Sequence, residues 1–531
     1  MHTNRVPQST PDPLAVFTDP PPNETDEQRV VREAKEAEEK RVSDEIDEGI
    51  RKDKVAMKKE KELVVKVLLL GQSESGKSTT LKNFRLRYAR QAWKEERTSW
   101  RAVIQLNLIH SVNTILEALQ AELESDSSSS VDLDNFDPDG YISAMSTSTS
   151  ARSPSSTPPP KVTEKHRLLK LRLAPLRRVE SDLRRRLGAS TSDDIDNVNG
   201  SSQPTYATPF DASTTSYPPP PAHGSSRRRR IGAGGGEVVV RSWKHLLQAE
   251  ERVSQTPSSS RGRREKESEQ GGRLSDPDAA SEAIANSKAD IKALWEDPVV
   301  QTVLTQRKVK LADSAGFFLS QLGRIASRRY EPSDDDVIRA RLRTLGVQEH
   351  KLKIEGGIAG ATNEAGRDWY IYDVGGSRTM RPAWLPYFDD VNAIIFLAPI
   401  SCFDEQLVED RNVNRLEDSF GLWKAICSSP QLSQTTLILF MNKCDLLEKK
   451  IKSGVSVKKS LPSFGDRPND AASVTKYLKT KFKEISQQCS PPSRTLYIFP
   501  TSVTDTQATG ITLQTVRDGI LREHLRHSNF V

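Results

Sequence analysis

Three short stretches of this sequence have residue types and spacings that can do chemistry. In GQSESGKST, Gly71, Gly76, Lys77 and Ser78 satisfy the pattern GxxxxGK[ST], directly after the apolar run LVVKVLLL and before a helix-like segment. That spacing lets backbone N–H groups and a helix N-terminus cradle phosphates, while Lys77 reaches the outer phosphates and the Ser78 hydroxyl ligates magnesium. Alone, the motif does not choose between ATP and GTP, and a chance glycine-lysine turn is its bland alternative. The second stretch, FMNKCD, sets Asn442, Lys443 and Asp445 at the end of an apolar run. A carboxylate there accepts hydrogen bonds from the N1–H and exocyclic amine of guanine, a donor pair that adenine lacks. As a lone tetrapeptide it reads as a surface turn; in order after the other two motifs it reads as a base-recognition site. The third, DVGGSR, places Asp373 at the end of WYIY before two glycines.

These motifs need elements to hold them. The chain has 531 residues, 35% of them hydrophobic and 28% charged, so part of it lies outside any core. A net charge of +6 over that length makes no case for nucleic acid as a partner, and the arginine run 227–230 reads as solvated or as a targeting signal. Cys402, Cys427, Cys444 and Cys489 lack pair or metal-ligand spacing, which fits reduced thiols in a cytoplasmic protein. No apolar run is read as approaching the roughly 20 residues of a membrane span. His2 follows Met1 where N-myristoylation requires glycine, and no cysteine lies near it for palmitoylation.

From 25 to 62 the dense Glu, Lys and Arg with thin apolar spacing (Val42, Ile46, Ile50) predict an exposed helix, opened by a capping box of Thr25 and Gln28. Its narrow stripe is either solvated or covered by a partner. Residues 1–24 read as disordered. Residues 125–287, with serine, proline, arginine and glycine runs, read as a largely disordered insertion. Inside it Leu176, Val179, Leu183 and Leu187 fall at helical spacing among arginines. They mark an ordered island packed on its host, a partner site or a basic membrane-surface helix. After 288 helices return, and then the strands DWYIYDV, AIIFLAPI, TTLILFMNKCD and TLYIFPTSVTD alternate with helices, which predicts an α/β fold with a parallel-rich sheet covered on both faces.

In its motifs, taken in order, the chain resembles the alpha subunit of heterotrimeric G proteins: GQSESGKST, DVIRARLRTLG, DVGGSR, FMNKCD and TSVTDT, with SWRAVIQLNLIHSV, DIKALWEDP and LADSAGFFL similar to the family's helical domain. The resemblance implies a P-loop, Ras-like GTPase domain over 63–92 and 340–531, and an all-α helical domain over 93–124 and 288–339 that carries the insertion. It implies Mg2+ as cofactor and GTP or GDP as ligand. Ser78, Thr344 and Asp373 would form the metal shell, and Arg341 would be a built-in arginine finger that Glu74 pairs with. The implied nucleotide site takes in Gly71, Glu74, Ser75, Gly76, Lys77, Ser78, Thr79, Ser314, Ile338, Arg339, Arg341, Thr344, Asp373, Gly376, Asn442, Lys443, Asp445, Ser502 and Val503. The implied partners are a beta-gamma dimer, covering the N-terminal helix, and a G-protein-coupled receptor. The effector is unassigned. The implied location is the inner face of the plasma membrane, peripheral and reached through partners. Without the other motifs, Arg339, Arg341 and Arg343 would read as a solvated basic run.

The departures from the family pattern cluster around the third motif. Ser377 stands where the family has a glutamine that orients the attacking water, and one short hydroxyl does not reach as an amide does. Pro382 and Pro386 interrupt a switch segment that is helical in the family. Leu345 replaces a threonine, Ser502 and Val503 replace Cys-Ala, and REHLRHSNFV lacks the family's cysteine-containing tail. The sequence therefore predicts a GTP-hydrolysing signalling switch of slow turnover, with Arg341, Ser377 and Glu74 as the catalytic set. The other reading is a GTP-binding interaction protein with negligible hydrolysis.

Overall fold

The computed structural model describes residues 25–128, 162–187, 239–240, 277–344, 346–353, 368–491 and 494–527, and of 57–63, 125–128, 239–240, 277–278, 525 and 527 the backbone only. The expectations for 1–24, for Leu345, for the C-terminal tail beyond 527 and for the rest of 125–287 fall outside these residues. The chain divides into two units, Met1–Val64 and Val65–Val531.

The first unit holds helix α1, Asp26–Leu63. Its start is the capping box read from the sequence: the Thr25 N–H donates to Gln28 Oε1 at 3.2 Å and the Gln28 N–H to Thr25 Oγ1 at 3.4 Å. Ion pairs one turn apart, such as Arg29–Glu33 at 2.9 Å and Lys52–Glu48 at 3.1 Å, line it, and Val42, Ile46 and Ile50 are exposed.

The second unit is built on a six-stranded sheet in the order β4-β5-β1-β6-β7-β8. The strands are β1 (Val64–Gly71), β4 (Val347–Lys353), β5 (Asp368–Val374), β6 (Ala393–Pro399), β7 (Thr436–Asn442) and β8 (Leu496–Pro500). Strands β1, β6, β7 and β8 run parallel, and β4 pairs antiparallel to β5. Because both faces are covered, β1 is apolar at nearly every position instead of alternating. Val65, Val67 and Leu69 pack with α2 (Lys77–Tyr88) and α14 (Thr506–His527). Leu68 and Leu70 pack with α11 (Arg415–Ser428) and α13 (Ala471–Cys489) on the other face. The loops leaving the carboxyl ends of β1, β5, β7 and β8 carry the three motifs and TSVTDT, the position where open α/β sheets hold ligands. A two-residue strand β2, Val239–Val240, pairs parallel with β3, Arg343–Thr344.

A separate all-helical core surrounds α4, Trp100–Ser128. Over Trp100–Glu124 this helix is long and apolar enough, by length and composition, to cross a membrane, which corrects the reading that no run comes near that length. Of its 18-residue apolar window 78% is buried within the helical core, and that burial accounts for its composition. Around α4 pack α3 (Arg90–Arg97), α7 (Pro277–Asn286), α8 (Lys288–Trp295), α9 (Pro298–Gln306) and α10 (Asp334–Arg339).

Within 125–287, read from the sequence as a mostly disordered insertion, two parts are helical. Helices α5 (Glu164–Leu173) and α6 (Pro175–Arg186) place Leu173, Leu176, Val179 and Leu183 in the helical core against α4, and α7 adds Ile284. Asp297 fastens them: it caps α9 through the Val299 N–H at 2.9 Å and accepts from Lys165 Nζ at 2.8 Å. Of the alternatives open for this segment, packing on the host domain is the one observed. Seven residues at helical spacing bury one face of an otherwise arginine-rich run, four of them those read from the sequence.

Leu176→Ala is expected to destabilise the protein by about 2–5 kcal/mol, the cost of deleting a buried side chain and leaving a cavity. Chemical denaturation of the full chain beside wild type measures this. An unchanged midpoint would mean that α6 does not pack on the helical core.

Candidate functional site

The motif-bearing loops surround one cavity of about 530 Å3, well within the size of a small-ligand pocket. Every site residue proposed from the sequence except Gly71 lines it, including Ser314, Ile338 and Arg339 from the helical side and Ser377 from the third motif. Gly71 lies beneath, its carbonyl accepting from Lys77 Nζ at 2.9 Å.

The loop after β1 turns on positive-φ backbone. Gly76 has φ 105°, and a Cβ there would sit 2.4 Å from Asn442 Nδ2, so the approach of the Asn442 loop requires glycine. Gly376 needs glycine for closeness instead of torsion: a Cβ would lie 2.4 Å from the Gln72 carbonyl carbon and 2.5 Å from Lys77 Nζ. The Ser73 N–H donates to the Gly376 carbonyl at 3.1 Å, joining the first and third motifs by main chain. With its ammonium also on the Gln72 carbonyl at 2.7 Å, Lys77 is buried, and burial pushes it down to about 8, against the pull of Asp373.

Asp373 answers for the third motif. Its Oδ2 accepts from Ser78 Oγ at 2.6 Å and Thr344 Oγ1 at 3.2 Å, and those two hydroxyls lie 3.1 Å apart. Its Oδ1 is buried without a hydrogen-bond partner among the described residues, and burial holds the carboxyl above the usual range although Lys77 and the two hydroxyls pull it down. Two hydroxyls, one carboxylate and an orphaned buried oxygen form a hard-oxygen donor set beside a phosphate-type loop. Such a set fits Mg2+, which takes one or two carboxylates and otherwise phosphate and water.

Arg341 is held twice. Its guanidinium donates to Glu74 Oε1 at 2.6 Å, and Asn107 of α4 grips its backbone, accepting from the Arg341 N–H at 2.7 Å and donating to its carbonyl at 3.0 Å. Burial pushes Glu74 up, but Arg341, Lys443 and Arg415 outweigh it and leave the carboxylate below its ordinary range. Lys82, one turn beyond the phosphate loop, donates to the Val337 and Ala340 carbonyls at 2.9 and 2.6 Å and stands 4.2 Å over the Trp100 ring; burial pushes it down to about 7. Sequence reasoning missed Asn107 and Lys82. Neither belongs to a phosphate or base motif, and only their distances to the Arg341 segment disclose them.

On the base side, Asn442 donates to the Ser75 carbonyl at 2.7 Å and accepts from the Val503 N–H at 3.1 Å, tying the loops after β1, β7 and β8 together. Lys443 takes a left-handed backbone, φ 65°, that opens α12, Cys444–Lys452, and sets Asp445 exposed in its first turn at the cavity wall. Ser377 is buried, with its hydroxyl 3.3 Å from that of Thr379, and heads a ten-residue 3-10 helix, Arg378–Tyr387, that contains Pro382 and Pro386. The buried, two-pronged Arg381–Asp418 pair at 3.0 and 2.6 Å fixes that helix to α11.

The family model of the G-protein alpha subunit matches residues 40–520. The guanine nucleotide-binding protein alpha-4 subunit of Mycosarcoma maydis is 32% identical over 98% of this chain and 96% of its own length. The alpha-3 subunit of Caenorhabditis elegans is 36% identical over 46% of this chain and 65% of its own, and the alpha-2 subunit of Neurospora crassa 32% over 44% and 63%. With three motif loops around one cavity and a family match across most of its length, this chain belongs to the G-protein alpha-subunit family.

Proposed function

We propose that this chain is a guanine-nucleotide switch that binds GTP with Mg2+ in the cavity between its sheet and its helical core, and that its hydrolysis is slow. Family members are signalling GTPases that use Mg2+ and associate with beta-gamma dimers and receptors. The observation that carries the reading for this chain is the convergence of Ser78, Thr344 and the half-satisfied Asp373 beside Lys77.

In this reading Ser78, Thr344 and Asp373 hold the metal, which when bound neutralises charge on the β- and γ-phosphates. Lys77 leaves the two loop carbonyls it now caps for phosphate oxygens, whose charge restores an ammonium that burial alone weakens. Asp445 reads guanine, and Asn442 keeps the base and phosphate loops in register. Arg341 leaves Glu74 to neutralise charge on the transferring phosphoryl group, a role worth about 10³ to 10⁵ in rate in GTPases that have one. Ser377 limits turnover. Its short hydroxyl lies against Thr379 and offers one donor where an amide would orient water and phosphate together. The partner assignments, a beta-gamma dimer on α1, a receptor, and peripheral attachment to the inner plasma membrane through them, rest on family membership. A second reading, a GTP-binding interaction protein without turnover, is favoured by Ser377 and by the proline-bearing 3-10 helix after it.

Single-turnover hydrolysis of loaded GTP is expected to rise by about tenfold or more in Ser377→Gln, about 1.4 kcal/mol of transition-state stabilisation, at equal nucleotide loading. Adding Arg341→Ala to that variant removes about 10³-fold or more. Equal rates for wild type and Ser377→Gln would overturn the role of Ser377, and loading without hydrolysis in both would establish the second reading.

Asp445→Ala is expected to weaken GTP binding by about 10²-fold or more while leaving weak ATP binding unchanged, because only guanine presents the donor pair the carboxylate accepts. Competition against a fluorescent guanine nucleotide measures it. Unaltered preference for GTP would remove Asp445 from base recognition.

A further inference from the structure

Helices α5 and α6 have a second face, which the helical core does not use. Ala174 between them keeps helical dihedrals (φ −53°, ψ −36°), so the two run on as one bent helix at Pro175. One stripe of it, from His166 through Leu173 and Val179 to Leu187, is buried. The opposite stripe exposes Leu168 and Leu171, at 55% and 71%, along the same face as Arg178 and Arg185. Between 164 and 187 there are nine Lys or Arg against three Asp or Glu. Neighbouring carboxylates answer part of that charge: Glu164 pairs with Arg167, Asp182 with Arg185, Glu180 with Arg184, Asp290 with Arg172 and Asp297 with Lys165. Arg177 and Arg178 are exposed and, among the described residues, have no ion-pair partner.

We propose that this bent helix is a membrane-docking surface that lies on an anionic bilayer with Leu168 and Leu171 in the headgroup layer and Arg177 and Arg178 on lipid phosphates and carboxylates. Exposed leucines one turn apart, with Arg178 on their face and Arg177 on its flank in a segment of net positive charge, are the composition of interfacial helices. Long arginine stems lie along apolar surface while their heads stay with charge. An acidic protein surface would satisfy the arginines but has no need of two protruding leucines. The helix is already folded on the core by its other face, so docking does not have to order it. This surface gives the chain a membrane contact of its own, beyond any attachment borne by partners.

The test is co-sedimentation of the full chain with phosphatidylcholine vesicles, with and without phosphatidylserine, at low and high salt. Binding is expected only with phosphatidylserine and is expected to fall with salt, since the attraction is screened. Arg177→Gln with Arg178→Gln should lower partition by about tenfold or more, from about fivefold per arginine, while Arg177→Lys with Arg178→Lys retains it. Leu168→Ser with Leu171→Ser should also lower it. Equal guanine-nucleotide loading of every variant reports an intact fold and keeps the outcome separate from the nucleotide-switch reading. Absence of phosphatidylserine-dependent binding, or binding unchanged in both variants, overturns the proposal. Loss with the arginine variant but not the leucine variant would leave a purely electrostatic contact and overturn the placement of Leu168 and Leu171 in the headgroup layer.

Discussion

A carboxylate buried at the end of a strand has to be answered by something, and in this protein Asp373 is answered by only half of what it needs. Two hydroxyls from separate segments, Ser78 at the head of α2 and Thr344 on β3, donate to one of its oxygens, and the other oxygen is left bare. Leaving a buried polar atom unmatched costs free energy, and the same cost favours any cation that satisfies it. The phosphate loop, the Thr344 segment and the glycine turn of the third motif are thus drawn to one point whose remaining need is positive charge. Lys77 supplies part of that charge at a distance.

The helical core contributes position more than chemistry. Asn107 uses both ends of its amide on the Arg341 main chain, and Lys82 crosses from the phosphate-loop helix to the carbonyls of the α10 segment. Arg341 is thereby placed from two sides by groups that touch no ligand. Its guanidinium rests on Glu74, a carboxylate that Arg341, Lys443 and Arg415 hold below its ordinary range against burial. The family's division into a nucleotide domain and a helical domain is, in this chain, bridged by a few buried polar contacts whose loss would leave unsatisfied main-chain groups.

The bent helix within 125–287 follows from a similar balance. Its surroundings bury too little apolar surface to offset chain entropy, but seven residues spaced three or four apart give this one stretch a face that α4 can cover. Docking on an existing core supplies what the segment lacks alone, and the charges opposite stay in solvent.

Local chemistry was legible in the sequence wherever spacing alone defines geometry. The phosphate loop between β1 and α2, the alternation of apolar strands and helices, the capping box at Thr25 and the order of the three motifs all follow from short-range torsional and periodic rules. What only the tertiary structure decided is which distant groups meet. Asn107 and Lys82 sit in ordinary helical patterns and become positioning residues only once two cores close on each other. The helical spacing at 176–187 was readable, but which face it buries, and its continuation back to Glu164, were decided by the core it packs on, and the apolar length of Trp100–Glu124 was accounted for only by the helices packed around it. The physical reason is the range of the forces involved: torsion and hydrogen-bond periodicity act over a few residues and are written in order along the chain. Burial and polar satisfaction are set by whatever the fold brings near, so they are properties of the closed structure.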